Sequence, residues 1–281
     1  MSDRPARLAD TRLADKVAIV TGAGSRADGI GNGRATAILL ARHGAKVTLV
    51  DQNPAWVART QQMIEAEEGV SLTILADVTE PADCERIVRE TVRTWGRLDI
   101  MVKSVGISCP IGTAVEVDLA EWDRALRVNV TSMMLMAKYA IPEMIRAENG
   151  GAIVNLASYA GLFGGHPSLL YPTSKGAVVN LTRAMAAHHA ADGIRVNAVA
   201  PGMVYTPMVY SGGMSEEVRE ARKNRSLLKV EGSGWDVGNG VLYLVSEEAR
   251  WVTGIVLPVD AGASAAPSAY PRYGRGENVA R

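Results

Sequence analysis

Cysteine is scarce in this chain: two in 281 residues, Cys84 and Cys109. That is too few for a disulfide framework, so a reducing, cytoplasmic setting is expected. The four histidines (His43, His166, His188 and His189) show no metal-ligand spacing with the cysteines, and no metal site is expected. Neither sign of charge is in excess, because thirty Lys and Arg balance thirty Asp and Glu. Nothing therefore recruits a phosphate backbone, and nucleic acid is not an expected partner. No apolar run approaches the ~18 residues of a membrane span. Residues 1–15 alternate charge with alanine and lack the apolar core of a signal peptide. What remains is ordinary globular composition, 47% hydrophobic, in a chain long enough to bury roughly three quarters of its unfolded surface.

Strand and helix patterns alternate along that chain. Residues 16–21 (KVAIVT) form a β-branched run ending at a glycine, a buried strand. Further strands are predicted over 46–50, 72–76, 98–105, 152–156, 195–200 and 255–259. Between them lie predicted helices over 34–43, 54–68, 81–95, around 121–127, 131–148 and 171–191. Strands joined by helices of this length imply right-handed crossovers and a parallel sheet covered on both faces. The expected fold is therefore α/β, a single-domain, Rossmann-type doubly wound sheet. Residues 1–15 read as an N-terminal extension, 16–264 as the domain and 265–281 as a C-terminal extension. A lid spans about 207–234, with a short helix near 215–225.

Between the first strand and first helix, residues 21–33 read TGAGSRADGIGNG, with five glycines. Glycine is needed where backbone amides approach a pyrophosphate, and the following helix N-terminus then faces the anion. Asp51 ends the second strand, where a carboxylate accepts the adenosine ribose hydroxyls and repels a 2′-phosphate. NAD is favoured over NADP on that ground. Arg26 in the loop is the counter-argument, since a guanidinium there would hold the phosphate; as a solvated loop residue it would do nothing.

Tyr171 and Lys175 stand at i and i+4 on a helix, so both project from one face. A neighbouring ammonium favours the phenolate of a tyrosine, which then exchanges a proton with an alcohol or carbonyl. Ser158 follows the 152–156 strand at the carboxyl edge of the sheet, where such folds bind ligands. In order along the chain come Thr21-Gly22 with the later glycines, Asp77-Val78, Asn129, Ser158, Tyr171-x-x-x-Lys175, Pro201-Gly202 with Thr206, and Val259-Asp260-Ala261-Gly262. With these motifs the chain resembles the short-chain dehydrogenase/reductase family from about residue 16 to 263.

The resemblance implies roles. Tyr171 would be the general acid/base and Lys175 would lower its pKa and hold the nicotinamide ribose. Ser158 would hydrogen-bond the substrate oxygen, and Asn129 would place a water linking Lys175 to solvent. Gly22, Ser25, Arg26, Gly31, Asn32, Asp51 and Gly106 would line the cofactor, Asp77 and Val78 its adenine. Pro201, Val204 and Thr206 would sit at the nicotinamide end. Two departures stand out. Residues 26–30 appear inserted in the phosphate loop, leaving either Gly31-Asn32-Gly33 or Gly29-Ile30-Gly31 as the helix-starting match. Lys103-Ser104-Val105-Gly106 replaces the family's Asn-Asn-Ala-Gly, and Lys103 is expected to be structural.

The segments expected to line the substrate pocket are 108–110, 159–166, 203–205 and the lid from Met208. Ser158, Phe163, His166, Tyr171, Met203 and Tyr205 are the expected substrate contacts, beside Leu162, Val204, Met208 and Tyr210. The set is mostly apolar, with no arginine cluster for a phosphate or coenzyme A. It suits a medium-sized, largely apolar alcohol or ketone, cyclic or aromatic. His166 either hydrogen-bonds a second polar group or serves the turn before Pro167. Cys109 has no base partner in sequence and is not expected to be a nucleophile. Met133, Met134 and Met136 read as core or subunit-face residues. The expected activity is NAD-dependent interconversion of a secondary alcohol and a ketone by a homotetramer or homodimer. An NADPH-dependent 3-oxoacyl-thioester reductase is the alternative.

Overall fold

In a computed structural model, which describes residues 11–26, 28–148 and 150–266, strand β1 (Val17–Thr21) lies fully buried in the interior of the sheet. Helix α1 (Asn32–Arg42) returns the chain to β2 (Lys46–Asp51) beside it. The pattern repeats through α2 (Pro54–Glu65), β3 (Ser71–Leu75), α3 (Pro81–Trp95) and β4 (Ile100–Lys103). Local chemistry sets the helix starts. Asn53 accepts the Trp56 amide at 3.1 Å to cap α2, with Pro54 in its first turn.

The second half continues with α4 (Leu119–Leu126), a π-helical turn (Arg127–Thr131), α5 (Ser132–Arg146) and β5 (Gly151–Leu156). Then come α6 (Leu170–His189), β6 (Ile194–Pro201), the short α7 (Pro207–Tyr210), α8 (Glu216–Lys223), α9 (Gly234–Val245) and β7 (Val256–Val259). The strands form one seven-stranded, all-parallel sheet in the order β3-β2-β1-β4-β5-β6-β7. The order reverses between β1 and β4, so a crevice opens at their carboxyl ends, beyond Thr21 and Lys103.

Helices cover both faces. One core joins Ile38 and Leu40 of α1 and Val57 of α2 to Val237 and Val241 of α9. The other joins Cys84 and Ile87 of α3, Met136 and Met144 of α5, and Met185 of α6.

Several sequence-based boundaries move. Helix α9 lies over residues for which the sequence pattern predicted no element, because Gly234, Gly238 and Gly240 weaken its helical signature. A capping box of Ser233 and Asp236 starts it, and Gly238 lets it approach α1, since a Cβ there would stand 2.8 Å from Leu39. Leu13, assigned to the N-terminal extension, is buried in the first core, and its amide donates to the His43 carbonyl at 2.9 Å. The helix predicted over 131–148 begins instead with the π-helical turn that carries Asn129. Most of the predicted extensions, 1–10 and 267–281, lie outside the described residues.

Candidate active site

The crevice at the β1/β4 switch is a cleft of about 790 Å³. Its floor is the glycine loop. Helix α1 starts at Asn32 with Gly31 as its extended N-cap, so the helix begins with the Gly31-Asn32-Gly33 register. Gly33 is required there because a Cβ would meet the Gly22 carbonyl oxygen at 1.9 Å. The insertion is held from below by Arg34, whose buried guanidinium donates to the Gly29 carbonyl at 2.7 Å and the Trp56 carbonyl at 2.9 Å. Gly29 in turn lies against Tyr210 and Pro207, which ties the insertion to α7.

Asp51 stands at the rim of this cleft with both carboxylate oxygens fixed. Oδ2 accepts from the Gly24 amide at 3.0 Å and Oδ1 from the Asn53 amide at 3.0 Å. Gly22, Ser25, Arg26, Gly31, Asn32, Asp77, Val78, Gly106 and Thr206 line the same cleft. The Asp77 carboxylate is occupied in its own turn, taking the amide and hydroxyl of Thr79. Trp56, Arg124 and Arg127 also line it, and sequence reasoning did not single them out. A dinucleotide fits these residues. Asn32 Oδ1 is buried without a partner at the start of α1, and at Gly106 a Cβ would stand 3.3 Å from Lys175 Nζ.

A second cavity of about 500 Å³ adjoins the first and shares Asn32, Ser104, Gly106, Ile107, Thr206 and Met208 with it. Ser158, Tyr171 and Lys175 meet in this cavity from two segments, the stretch after β5 and the start of α6, that the sheet edge brings together. Ser158 follows β5 and its hydroxyl accepts the Ala160 amide at 3.2 Å. The Tyr171 amide is capped by Ser168 Oγ at 3.2 Å, which fixes the start of α6. One turn later, Lys175 Nζ donates to the Leu156 carbonyl at 2.9 Å. Burial pushes the Tyr171 phenol above its ordinary value of 10.0, and a hydrogen bond with Ser158 partly offsets this. Burial also lowers the Lys175 ammonium to about 8. Burial is the largest influence on both groups, pushing one up and the other down.

Asn129 is buried beneath the triad and its side chain is fully committed. Its Oδ1 accepts from the Ile107 amide at 2.8 Å, and its Nδ2 donates to Ser174 Oγ at 3.0 Å and to the Ile107 carbonyl at 3.2 Å. The side chain thus clamps the loop after β4 to α6.

Of the expected substrate contacts, Phe163, His166 and Met203 line the second cavity, as do Val204, expected at both substrate and cofactor, and Pro201, expected at the cofactor. Tyr205 does not line it. Its ring lies between Tyr210, 4.6 Å away, and the Arg219 guanidinium, 4.2 Å away. Leu162 and Tyr210 are likewise outside the lining. His166 serves the turn before Pro167, its Nδ1 accepting the Ser168 amide at 3.1 Å, and its ring lines the cavity 5.3 Å from that of Tyr171. Cys109 lines the cavity too, but burial raises its thiol pKa, which disfavours the thiolate. Arg222 and Arg225 also line it, contrary to the expectation of no arginine cluster. In sequence they read as the polar face of a solvated helix.

Lys103 lines neither cavity. It is buried, and its Nζ donates to the Met133 carbonyl at 2.9 Å across to α5.

Known proteins share this arrangement. A family model described as enoyl-(acyl carrier protein) reductase matches residues 25–264. The chain is 37% identical over 258 residues to 2-(S)-hydroxypropyl-CoM dehydrogenase 3 of Xanthobacter autotrophicus, covering 90% of this chain and 98% of that one. It is 36% identical over 253 residues to cis-4-hydroxycyclohexanecarboxylate dehydrogenase of Sinomonas cyclohexanicum, again covering 90% and 98%. A crystal structure of a short-chain dehydrogenase/reductase from Burkholderia xenovorans superposes with a TM-score of 0.85 at 40% identity, covering 91% of this chain and 98% of that one. The sheet order, the glycine loop and the Ser158, Tyr171, Lys175 grouping thus belong together: the chain is a member of the short-chain dehydrogenase/reductase family, an oxidoreductase acting on CH–OH groups.

Proposed function

We propose that the protein is an NAD-dependent dehydrogenase that interconverts a secondary alcohol and its ketone, on a medium-sized and largely apolar ring-bearing substrate. The observation that carries this is the continuity of the two cavities, one holding the fixed Asp51 carboxylate and the other Ser158, Tyr171 and Lys175. When bound, the nicotinamide cofactor supplies the hydride acceptor or donor. Tyr171 takes the hydroxyl proton in oxidation and returns it in reduction. Ser158 holds the substrate oxygen, and Lys175 favours the charged phenol and binds the ribose. Asn129 positions α6 so that these groups converge.

Asp51 supports the choice of NAD. Its charge is held in place by the Gly24 and Asn53 amides and faces the position of the adenosine ribose, where a 2′-phosphate would be repelled. The cavity wall of Phe163, Met203, Val204 and Met208 suits a ring, in keeping with the relative named for a hydroxycyclohexanecarboxylate. Two unpaired cysteines suit the cytoplasm. Exposed apolar side chains on α5 (Met134, Ile145) and near β7 (Trp251, Ile255) suit a homotetramer or homodimer. Calorimetry with NAD(H) and NADP(H) tests the cofactor reading. We expect NADH to bind more tightly than NADPH, with Asp51→Ala weakening NADH; a preference for NADPH would overturn it and bring Arg26 forward.

A further inference from the structure

The substrate cavity carries an excess of positive charge. Arg222, Arg225 and Lys175 line it, and none of the lining residues is an aspartate or glutamate. The nearby acidic group is already taken. Glu231, whose charge reaches Arg222, is bound on both oxygens by Arg219, with Nε to Oε1 at 2.7 Å and Nη2 to Oε2 at 2.6 Å. That bidentate pair occupies both oxygens of Glu231, and among the described residues neither later arginine forms an ion pair with a carboxylate. Arg222 is half-buried, and its side chain makes one long contact, 3.4 Å from Nη2 to the Val204 carbonyl. Arg225 has no side-chain hydrogen bond or ion pair among the described residues. Burial and the charge of Arg225 both work against the Arg222 guanidinium. Half-buried Arg222 and exposed Arg225 bring two like charges to one cavity, and among the described residues no carboxylate pairs with Arg225, so an anion joining them there is favoured.

The placement is selective. Both arginines line the substrate cavity and neither lines the nucleotide cleft, so a cofactor phosphate does not account for them. Arg222 comes from the end of α8 and Arg225 from the turn just after it, whereas Ser158 and Tyr171 come from the sheet edge. A substrate spanning the cavity therefore meets its reacting carbon at one wall and the guanidinium pair at another.

We propose that Arg222 and Arg225 form an anion subsite, and that the substrate is a secondary alcohol bearing a carboxylate remote from its carbinol. This inference rests on the dehydrogenase reading for the identity of the reacting group, but the subsite can be tested without turnover. Full-length enzyme saturated with NADH is titrated calorimetrically with cyclohexanecarboxylate and with its neutral isostere cyclohexanecarboxamide. For the wild type, the carboxylate is expected to bind about tenfold or more tightly than the amide, the ratio that one charge-assisted hydrogen bond supplies. In the double variant Arg222→Gln/Arg225→Gln that ratio falls to about one, while Arg222→Lys/Arg225→Lys retains most of it. NADH affinity, measured on the same samples, reports whether each variant is folded.

Equal binding of acid and amide by the wild type, or a preference that survives the double Gln variant, would overturn the subsite. So would arginine-dependent binding of acetoacetyl-CoA by an enzyme indifferent to the carboxylate, which would assign the pair to a coenzyme phosphate. If the carboxylate preference holds but hydroxycyclohexanecarboxylates yield no NADH, the subsite stands and the dehydrogenase reading fails instead.

Discussion

Lys175 Nζ stands 5.9 Å from the centre of the Tyr171 ring, one turn along the same helix, and both groups are driven toward neutrality by burial. The phenol is harder to ionise than in water and the ammonium easier to deprotonate. Alcohol oxidation needs the phenolate as proton acceptor, so its rate rises with pH through the phenol's operating pKa.

Removing the lysine charge makes the phenolate less accessible still. Lys175→Met is expected to move the rising limb of kcat/KM for oxidation to higher pH and to lower the neutral-pH rate by about a hundredfold or more. A pH–rate profile of the two proteins checks this; an unshifted limb would mean that Lys175 does not tune Tyr171.

Lys103 gives a stability signature. Burial lowers its ammonium to about 7, against 10.5 for the ordinary side chain. Between those values the unfolded chain binds the proton and the native protein does not. Stability from this group is therefore complete above about 10.5 and is lost as pH falls toward about 7. Melting temperature should rise across that window, and Lys103→Met should flatten the rise. Lys175 titrates in part of the same window, so the Lys175→Met protein is the control. Because Lys103 lines neither cavity, Lys103→Asn is expected to leave kcat within about tenfold.

Gly33 and Gly164 form a matched pair. An alanine inside a helix ordinarily gains about 1 kcal/mol over glycine. At Gly33 the added carbon meets the Gly22 oxygen at 1.9 Å, and overpacking of about 1–3 kcal/mol reverses the sign. Gly33→Ala should melt lower and bind NADH more weakly. Gly164 faces open space, so Gly164→Ala should change stability by no more than about 0.5 kcal/mol. Thermal melts of both variants decide it.

The legible parts of this molecule are those with local signatures. Tyr171 and Lys175 share a helix face by spacing alone, and Ser158 and Asp51 each end a strand that reads clearly as buried. The rest depends on contacts that no short window contains. Helix α9 is masked by its glycines, which exist to pack on α1. Arg222 and Arg225 lie in a run, EEVREARKNR, that looks like an ordinary solvated helix; only the fold of the lid turns them to the cavity. Tyr205 shows the reverse, an aromatic beside the pocket in sequence that stacks on Tyr210 in space. Leu13 sits in a polar stretch, and its burial depends on the return of α1 at His43.

The central claim is that Tyr171 moves the proton as a secondary alcohol is oxidised at the expense of NAD. The most direct test is NADH formation followed by absorbance, with a panel of cyclic secondary alcohols and wild-type enzyme beside Tyr171→Phe. The account predicts NADH and ketone in equal amounts from the wild type, and a rate reduced by roughly a thousandfold in Tyr171→Phe with NADH binding retained. Undiminished turnover by Tyr171→Phe, or no NADH from any alcohol in the panel, would contradict it.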